Sequence, residues 1–288
     1  MSASIFTASR PASGAGPSAE IAFSLVDWNA LAPGRATREA WMEWAASSAQ
    51  DIPAPDVAGE GGPPLPKTPH IPMMAARRMS PGTRLAVEAA LALMETRAAI
   101  PGAPPVDALV FSSRHGELER TLQIIRNLAD GSEISPTDFA MSVHNTAAGL
   151  LTITAGAALP ATSVAAGIDS FQQALFEVAA FFEAGMQSVL LLDFEGRLPE
   201  FYRAQPGDTS GTLPPAPGFE ACAVALLLRP GNDCRVTSLP AANPAPDAAG
   251  AASPWPQSVR FLRHYLARRN RFTLGGDHRD WLWNCVAS

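Results

Sequence analysis

The 288-residue chain is short of charge, of lysine and of cysteine, and each shortage narrows what it can do. Charged residues make up 17% of the sequence, Lys67 is the only lysine, and the net charge is -6, which argues against a nucleic-acid surface. The three cysteines, Cys222, Cys234 and Cys285, are odd in number and have no C-x-x-C spacing. They suggest neither a disulfide framework nor a zinc knuckle, and a reducing cytosol fits them best. The opening MSASIFTASRPASGAG lacks the basic start and apolar stretch of a secretory leader, and no apolar run approaches the ~18 to 20 residues of a membrane span. A soluble, cytoplasmic protein is expected. His70, His115, His144, His264 and His278 show no H-x-x-H or H-E-x-x-H spacing, so no metal is expected. There is also no G-x-G-x-x-G or Walker loop to imply a cofactor, and Gly167-Ile168-Asp169-Ser170 is not the G-x-S-x-G elbow of a hydrolase.

Proline and glycine, 27 and 22 residues, gather in a few clusters. Asp51 to Pro72 reads as a Pro-rich surface loop, and Arg203–Pro217 and Pro240–Pro256 read as further loops or linkers. Between them the pattern is regular. A strand over Ile21–Trp28 leads to a helix opened by Thr37 with Trp41 and Trp44 on its core face. Ser80 and Pro81 supply the N-cap and first position of a helix to about Ala99. Strands at Ala108–Phe111, Ala161–Ala165, Val189–Leu192 and Ala221–Leu228 then alternate with helices at Gly116–Leu128 and Asp169–Ala184, the last closed by Gly185. Continuous apolar strands are buried on both faces, which implies a layered α/β domain with a mostly parallel, mixed sheet. The segment VRFLRHYLARRNRF reads as a last, basic helix. Residues 1–230 are therefore expected to form one domain, and 231–288 a linker with a helical extension.

The helix from Asp169 to Ala184 has Phe171, Ala174, Leu175, Phe176, Val178, Phe181 and Phe182 around most of its circumference. Such a helix must lie between two layers.

Three segments in order resemble the N-terminal half of β-ketoacyl synthases, of the thiolase-like superfamily. VFSSRHGELERTLQIIRNL is similar to a strand and helix of that half, and ISPTDFAMSVHNTAAG to its ISP-to-N-x-x-AG segment, which ends at the structural residues Asn145 and Gly149. ATSVAAGIDSFQQALFEVAAFFEAGMQSVLLLDFEG is similar to the strand, nucleophile elbow, buried helix and next strand. The resemblance spans about Leu109 to Leu228. With the Trp-rich opening and Arg77-Arg78-Met79-Ser80 before a helix, the chain resembles more narrowly the short chain-length-factor subunits of aryl polyene clusters.

The departures from the family carry the functional expectation. A ketosynthase sets its cysteine at the strand-to-helix turn, where the helix N-terminus favours the thiolate. Here the elbow reads Ser163, Val164, Ala165, and nothing from Val164 to Ile168 is nucleophilic. The stretch after Leu228 is too short for the second half of the fold, which supplies the family's catalytic histidines. Gln172 and Gln173 lie too far along the helix to stand in for the cysteine, and Cys222 reads as core. His144 reads as a structural neighbour of the Asn145 turn. The resemblance thus implies a non-catalytic chain-length factor without cofactor, paired with an active ketosynthase and, through it, with an acyl carrier protein.

By position, Ala161, Thr162, Ser163, Val164 and Ala165 would form the interface strand, and Leu118, Thr121, Leu122, Ile125, Thr137, Asp138 and Phe139 would line or gate the acyl tunnel. A stand-alone acyl-thioester decarboxylase or hydrolase, or a homodimeric acyl-binding protein, are the competing readings. Because only Trp255–Trp283 is left to replace a second sheet, some apolar surface on the elbow strand and helix is expected to stay bare.

Overall fold

Strands with no polar face form the middle of one mixed sheet, and the computed structural model describes residues 6–9, 18–47, 63–199, 221–240, 255–277 and 279–286 of the chain. Most of the Pro-rich loop and both later linkers lie outside the described residues. The strands are β1 (Phe6–Ser9), β2 (Ser18–Leu31), β3 (Ala108–Ser112), β4 (Ala161–Val164), β5 (Val189–Glu195), β6 (Cys222–Pro240), β7 (Arg271–Gly275) and β8 (Arg279–Cys285). Their order is β1-β2-β6-β5-β3-β4, with a β7–β8 hairpin attached to β6 through β8. Pairing is parallel only at β4-β3-β5 and antiparallel elsewhere.

The helices are α1 (Arg38–Ala46), α2 (Met73–Ala76), α3 (Pro81–Ala98), α4 (Leu118–Ala129), α5 (Pro136–Ala140), α6 (Thr146–Ala155), α7 (Ser170–Glu183) and α8 (Gln257–Leu266). Caps fix several starts: the Thr37 hydroxyl accepts from Ala40 N at 3.3 Å, and the Ser80 hydroxyl from Thr83 N at 3.3 Å ahead of Pro81.

Every residue of β3 and β5 is buried, and the strand period of two divides their side chains between two cores. Val110, Leu191 and Leu226 face a layer of α7, α1, α8 and the β7–β8 hairpin. Leu109, Leu190 and Leu227 face the opposite layer, built on α3 and α6. Gly82 lets α3 start directly against the strand end, where a Cβ would stand 2.8 Å from the Glu195 carbonyl oxygen.

The C-terminal segment corrects three expectations. The helix ends at Leu266, not near Phe272: Arg268 takes φ 54, and the chain turns back into β7 and β8. The division expected at residue 230 falls inside β6, whose second half pairs with β8, so the extension belongs to the same sheet. Cys234 and Cys285, far apart in sequence, are register partners on those strands with Cα atoms 4.2 Å apart, and they form a disulfide. Cys222 is the free, buried cysteine.

α7 is covered better than its sequence suggested. Trp283 stacks on Phe171 with centroids 6.0 Å apart and lies 4.5 Å from Phe261, while Trp281 meets Phe176 edge-on. Gln172 is buried and donates to Gln257, which in turn donates to the Gly275 carbonyl at 2.9 Å. The exposed residues of the helix are Glu177, Ala180 and Glu183, with Gln173, Phe176 and Phe181 half-buried.

Candidate functional site

At the edge of the sheet β4 has a neighbour, β3, on one side only. Along it Thr162, Ser163 and Val164 are half-buried and Ala161 and Ala165 exposed, and Val164 packs against the α7 core. The turn after β4 satisfies itself. Ser170 Oγ accepts from Ala166 N at 2.9 Å and donates to the Gly167 carbonyl at 2.7 Å, and Gly167 takes the left-handed conformation, φ 59.

Asp169, at the N-cap of α7, accepts from Trp281 Nε1 at 2.9 Å and from Asp277 N at 3.2 Å. Burial raises its carboxyl above the usual carboxylate range, against the pull of those donors. The C-terminal hairpin thus holds the turn in shape, and Val164, Ala165 and Ala166 stand at its start.

Beside this strand lies an open cleft of about 600 Å3, lined by His144, Asn145, Ala148, Gly149, Thr152, Leu159, Ala161, Thr162 and Ser163. The fold therefore brings Asn145 and Gly149 to the side of β4. Asn145 caps α6 without a side-chain bond, and nothing lies within 4 Å of where a Cβ would stand on Gly149. His144, read from sequence as a structural neighbour of Asn145, also lines the cleft. Its Nε2 is 3.1 Å from the Ser113 carbonyl, and its ring sits over Gly116.

The candidate tunnel residues lie on α4 and α5, outside the lining of that cleft. Leu118, Thr121 and Leu122 are half-buried and Ile125 is 56% exposed, while Ile124 is the residue of α4 that reaches the interior. On α5, Thr137 is exposed and Phe139 is 64% exposed. Asp138 binds Arg120 at 2.8 Å, which fastens α5 to α4, and Arg120 also donates to the Arg78 carbonyl at 3.0 Å. Thr121 Oγ1 donates to the Glu117 carbonyl at 3.2 Å.

Sequence reading missed a row of buried acids where β3 and β5 end. Asp193 accepts from Ser112 and Glu195 from Arg114 N, with His115 Nδ1 at 2.9 Å from Glu195, and Glu117 accepts from Ser80 at 2.9 Å and from Thr83. Burial pushes Asp193 up to about 7, eased by Ser112 and Ser258 and reinforced by the Glu195 charge. The Cys222 thiol is raised by burial and by Asp193 and Glu195, which suits a core thiol and not a nucleophile. The available signal was two acids inside the apolar run VLLLDFE. Among the described residues no cluster has the make-up of a metal site, and no helix is long and apolar enough to cross a membrane.

Comparison with known proteins places this geometry. Residues 41–284 match the family model of the β-ketoacyl synthase N-terminal domain. The chain is 41% identical to a chain in the solved complex of a ketosynthase, ApeO, with its chain length factor, ApeC, from Xenorhabdus doucetiae; the match covers 92% of this chain and 99% of that one with a TM-score of 0.76. The ishigamide ketosynthase/chain length factor shares the fold at 14% identity and a TM-score of 0.62, with the same coverage. No curated protein matches the sequence. A family model spanning most of the chain, and a relative of matching length at 41% identity, establish that the protein belongs to the β-ketoacyl synthase N-terminal-domain family, as a single thiolase-like half-domain.

Proposed function

We propose that this protein is the non-catalytic, chain-length-determining partner of an active ketosynthase, working on carrier-bound acyl chains in aryl polyene or related polyketide assembly. The observation that carries the reading is the end of β4 and the turn after it, which hold Val164, Ala165 and Ala166 beside an open strand edge; we read them as the elbow of the family without its nucleophile. The 41% identical relative, solved in a complex of a ketosynthase with its chain length factor, supports the same assignment.

The mechanism is steric. The free edge of β4, Ala161 to Ala165, offers backbone N–H and C=O groups to a matching strand of the partner. The half-buried and exposed side chains of α4 and α5 (Leu118, Thr121, Leu122, Ile125, Thr137, Asp138 and Phe139) then close the far end of the partner's acyl tunnel. Condensation is left to the partner's cysteine, and the chain needs neither metal nor cofactor. Without a ketosynthase the same edge pairs two copies of this chain.

Incubation with malonyl-carrier protein tests the assignment. The purified chain alone should release no CO2, hydrolyse no thioester and gain no covalent mass on the peptide spanning Val164, and extension should begin only with a ketosynthase present. Turnover or acylation by the chain alone would return it to the decarboxylase or hydrolase class.

A further inference from the structure

Polar bonds, with little packing to help them, hold α4 and α5 against the rest of the molecule. Ile124 is the buried residue of α4, and α5 buries none. Arg120 stands at the centre of these bonds. Its Nη1 donates to Asp138 Oδ1 at 2.8 Å and its Nη2 to the Arg78 carbonyl at 3.0 Å, so one guanidinium joins α4 both to α5 and to the turn before α3. Glu117, at the N-cap of α4, is buried and accepts from the Ser80 and Thr83 hydroxyls at the start of α3. Its Oε2 lies 3.8 Å from Arg120 Nε, and neither of these two buried atoms has a hydrogen bond among the described residues. The guanidinium thus rests between a carboxylate anchored on α3 and a half-exposed one that α5 carries.

Charge-assisted bonds are the strong ones, and the planar fork of an arginine holds two acceptors at a fixed separation. Among the described residues the Asp138–Arg120 pair is the hydrogen bond that ties α5 to another element. The other bonds of the segment stay within it: Asp138 N donates to Ser135 Oγ, Phe139 N to the Ser135 carbonyl and Ser142 Oγ to the Phe139 carbonyl. Phe139, next in sequence to Asp138 and exposed, therefore takes its place from Arg120 and not from a packed core.

We propose that Arg120 is a positioning residue for product length: by holding Asp138 it fixes how far Thr137 and Phe139 stand toward the end of the growing acyl chain. The link between α5 and product length rests on the function proposed above. Arg120 itself acts through Asp138, so the length made depends on a residue set behind the face that meets the chain.

Two readouts test it. In the chain alone, Arg120→Met should speed amide exchange across α5 by roughly tenfold and leave β3 and β5 as they are. In the pair reconstituted with its ketosynthase, complexes of Arg120→Met shown intact by sedimentation should make products that run past the wild-type length. Arg120→Lys, which reaches one acceptor at a time, should fall between the two. High salt screens the half-exposed Asp138–Arg120 pair, so it should lengthen the wild-type product toward that of Arg120→Met and leave the variant's product unchanged, a response that a packing defect would not give. Arg126→Met, exposed on the same helix, serves as the control and should keep the wild-type length.

Wild-type product length from an intact Arg120→Met complex would overturn the proposal, as would unchanged α5 exchange in the chain alone. Should Arg120→Met not assemble, wild-type length from Arg120→Lys, or a wild-type product indifferent to salt, would overturn it equally. A wild-type chain that never associates with a ketosynthase, yet whose α5 exchange quickens in Arg120→Met, would instead overturn the function proposed above.

Discussion

Asp193 shows how one side chain in this sheet couples to pH. An aspartate in an unfolded chain titrates near ~3.9, while burial in β5 lifts this one to about 7. Between those values the folded state holds a proton that the unfolded chain does not. Its contribution to stability is therefore present below about 4 and is lost as pH rises through about 7. His70, raised mainly by its hydrogen bond to Glu88, acts in the same direction above the usual imidazole range. His264, at about 4, acts oppositely, because the unfolded imidazole takes up a proton from ~6.5 downward. Asp193→Asn removes one of these contributions and keeps the shape. Urea unfolding at pH 5 and pH 8 should show the variant losing less stability with rising pH than the wild type, with a gain at pH 8 on the order of 2 kcal/mol. Equal slopes for the two proteins would mean that Asp193 is charged in the fold at both pH values.

Among the elements, those with one strong period were legible in the sequence. β3, β5 and β6 each open on an unbroken apolar run, and α3 and α7 have clear starts at Ser80 and Asp169. The β7–β8 hairpin was not legible, because arginines continue the helical pattern of α8 past its end. Its signal was present in the alternation of Phe272 and Leu274, then Trp281, Trp283 and Cys285, across a Gly-Gly-Asp turn. Cysteine spacing gave no hint of the disulfide, since the register that brings Cys234 to Cys285 exists only once that hairpin forms.

Two predictions belong at this scale. Non-reducing peptide mapping should find Cys234 joined to Cys285, and Cys285→Ser should cost up to about 4 kcal/mol, the chain-entropy value for a 51-residue separation. Unlinked peptides and unchanged stability would mean that the pair is a dithiol in the core. On α4, Thr121→Trp adds bulk to the face assigned to the tunnel and should shorten the product made by the reconstituted pair while leaving assembly intact. Normal product length in a normal complex would remove Thr121 from the gate.

For the whole molecule, the C-terminal hairpin and α8 close the layer over α7, so the surface left for a partner lies elsewhere than the helix itself. Among the described residues, half of the exposed large apolar residues, Ile125, Leu128, Phe139, Val143 and Ile153, fall between α4 and α6. Covering even a few hundred Å2 there is worth several kcal/mol at ~25 cal/mol per Å2, enough to favour association. The elbow, tunnel face and partner surface are proposals that rest on resemblance, while the cleft and the buried acids needed the fold to bring distant segments together. Sedimentation velocity of the chain at micromolar concentration, with and without the ketosynthase, addresses the partnership directly. The expected result is a tight heterodimer in the mixture and a self-associated or poorly soluble chain when alone; a well-behaved monomer that gains no mass when the ketosynthase is added would contradict it.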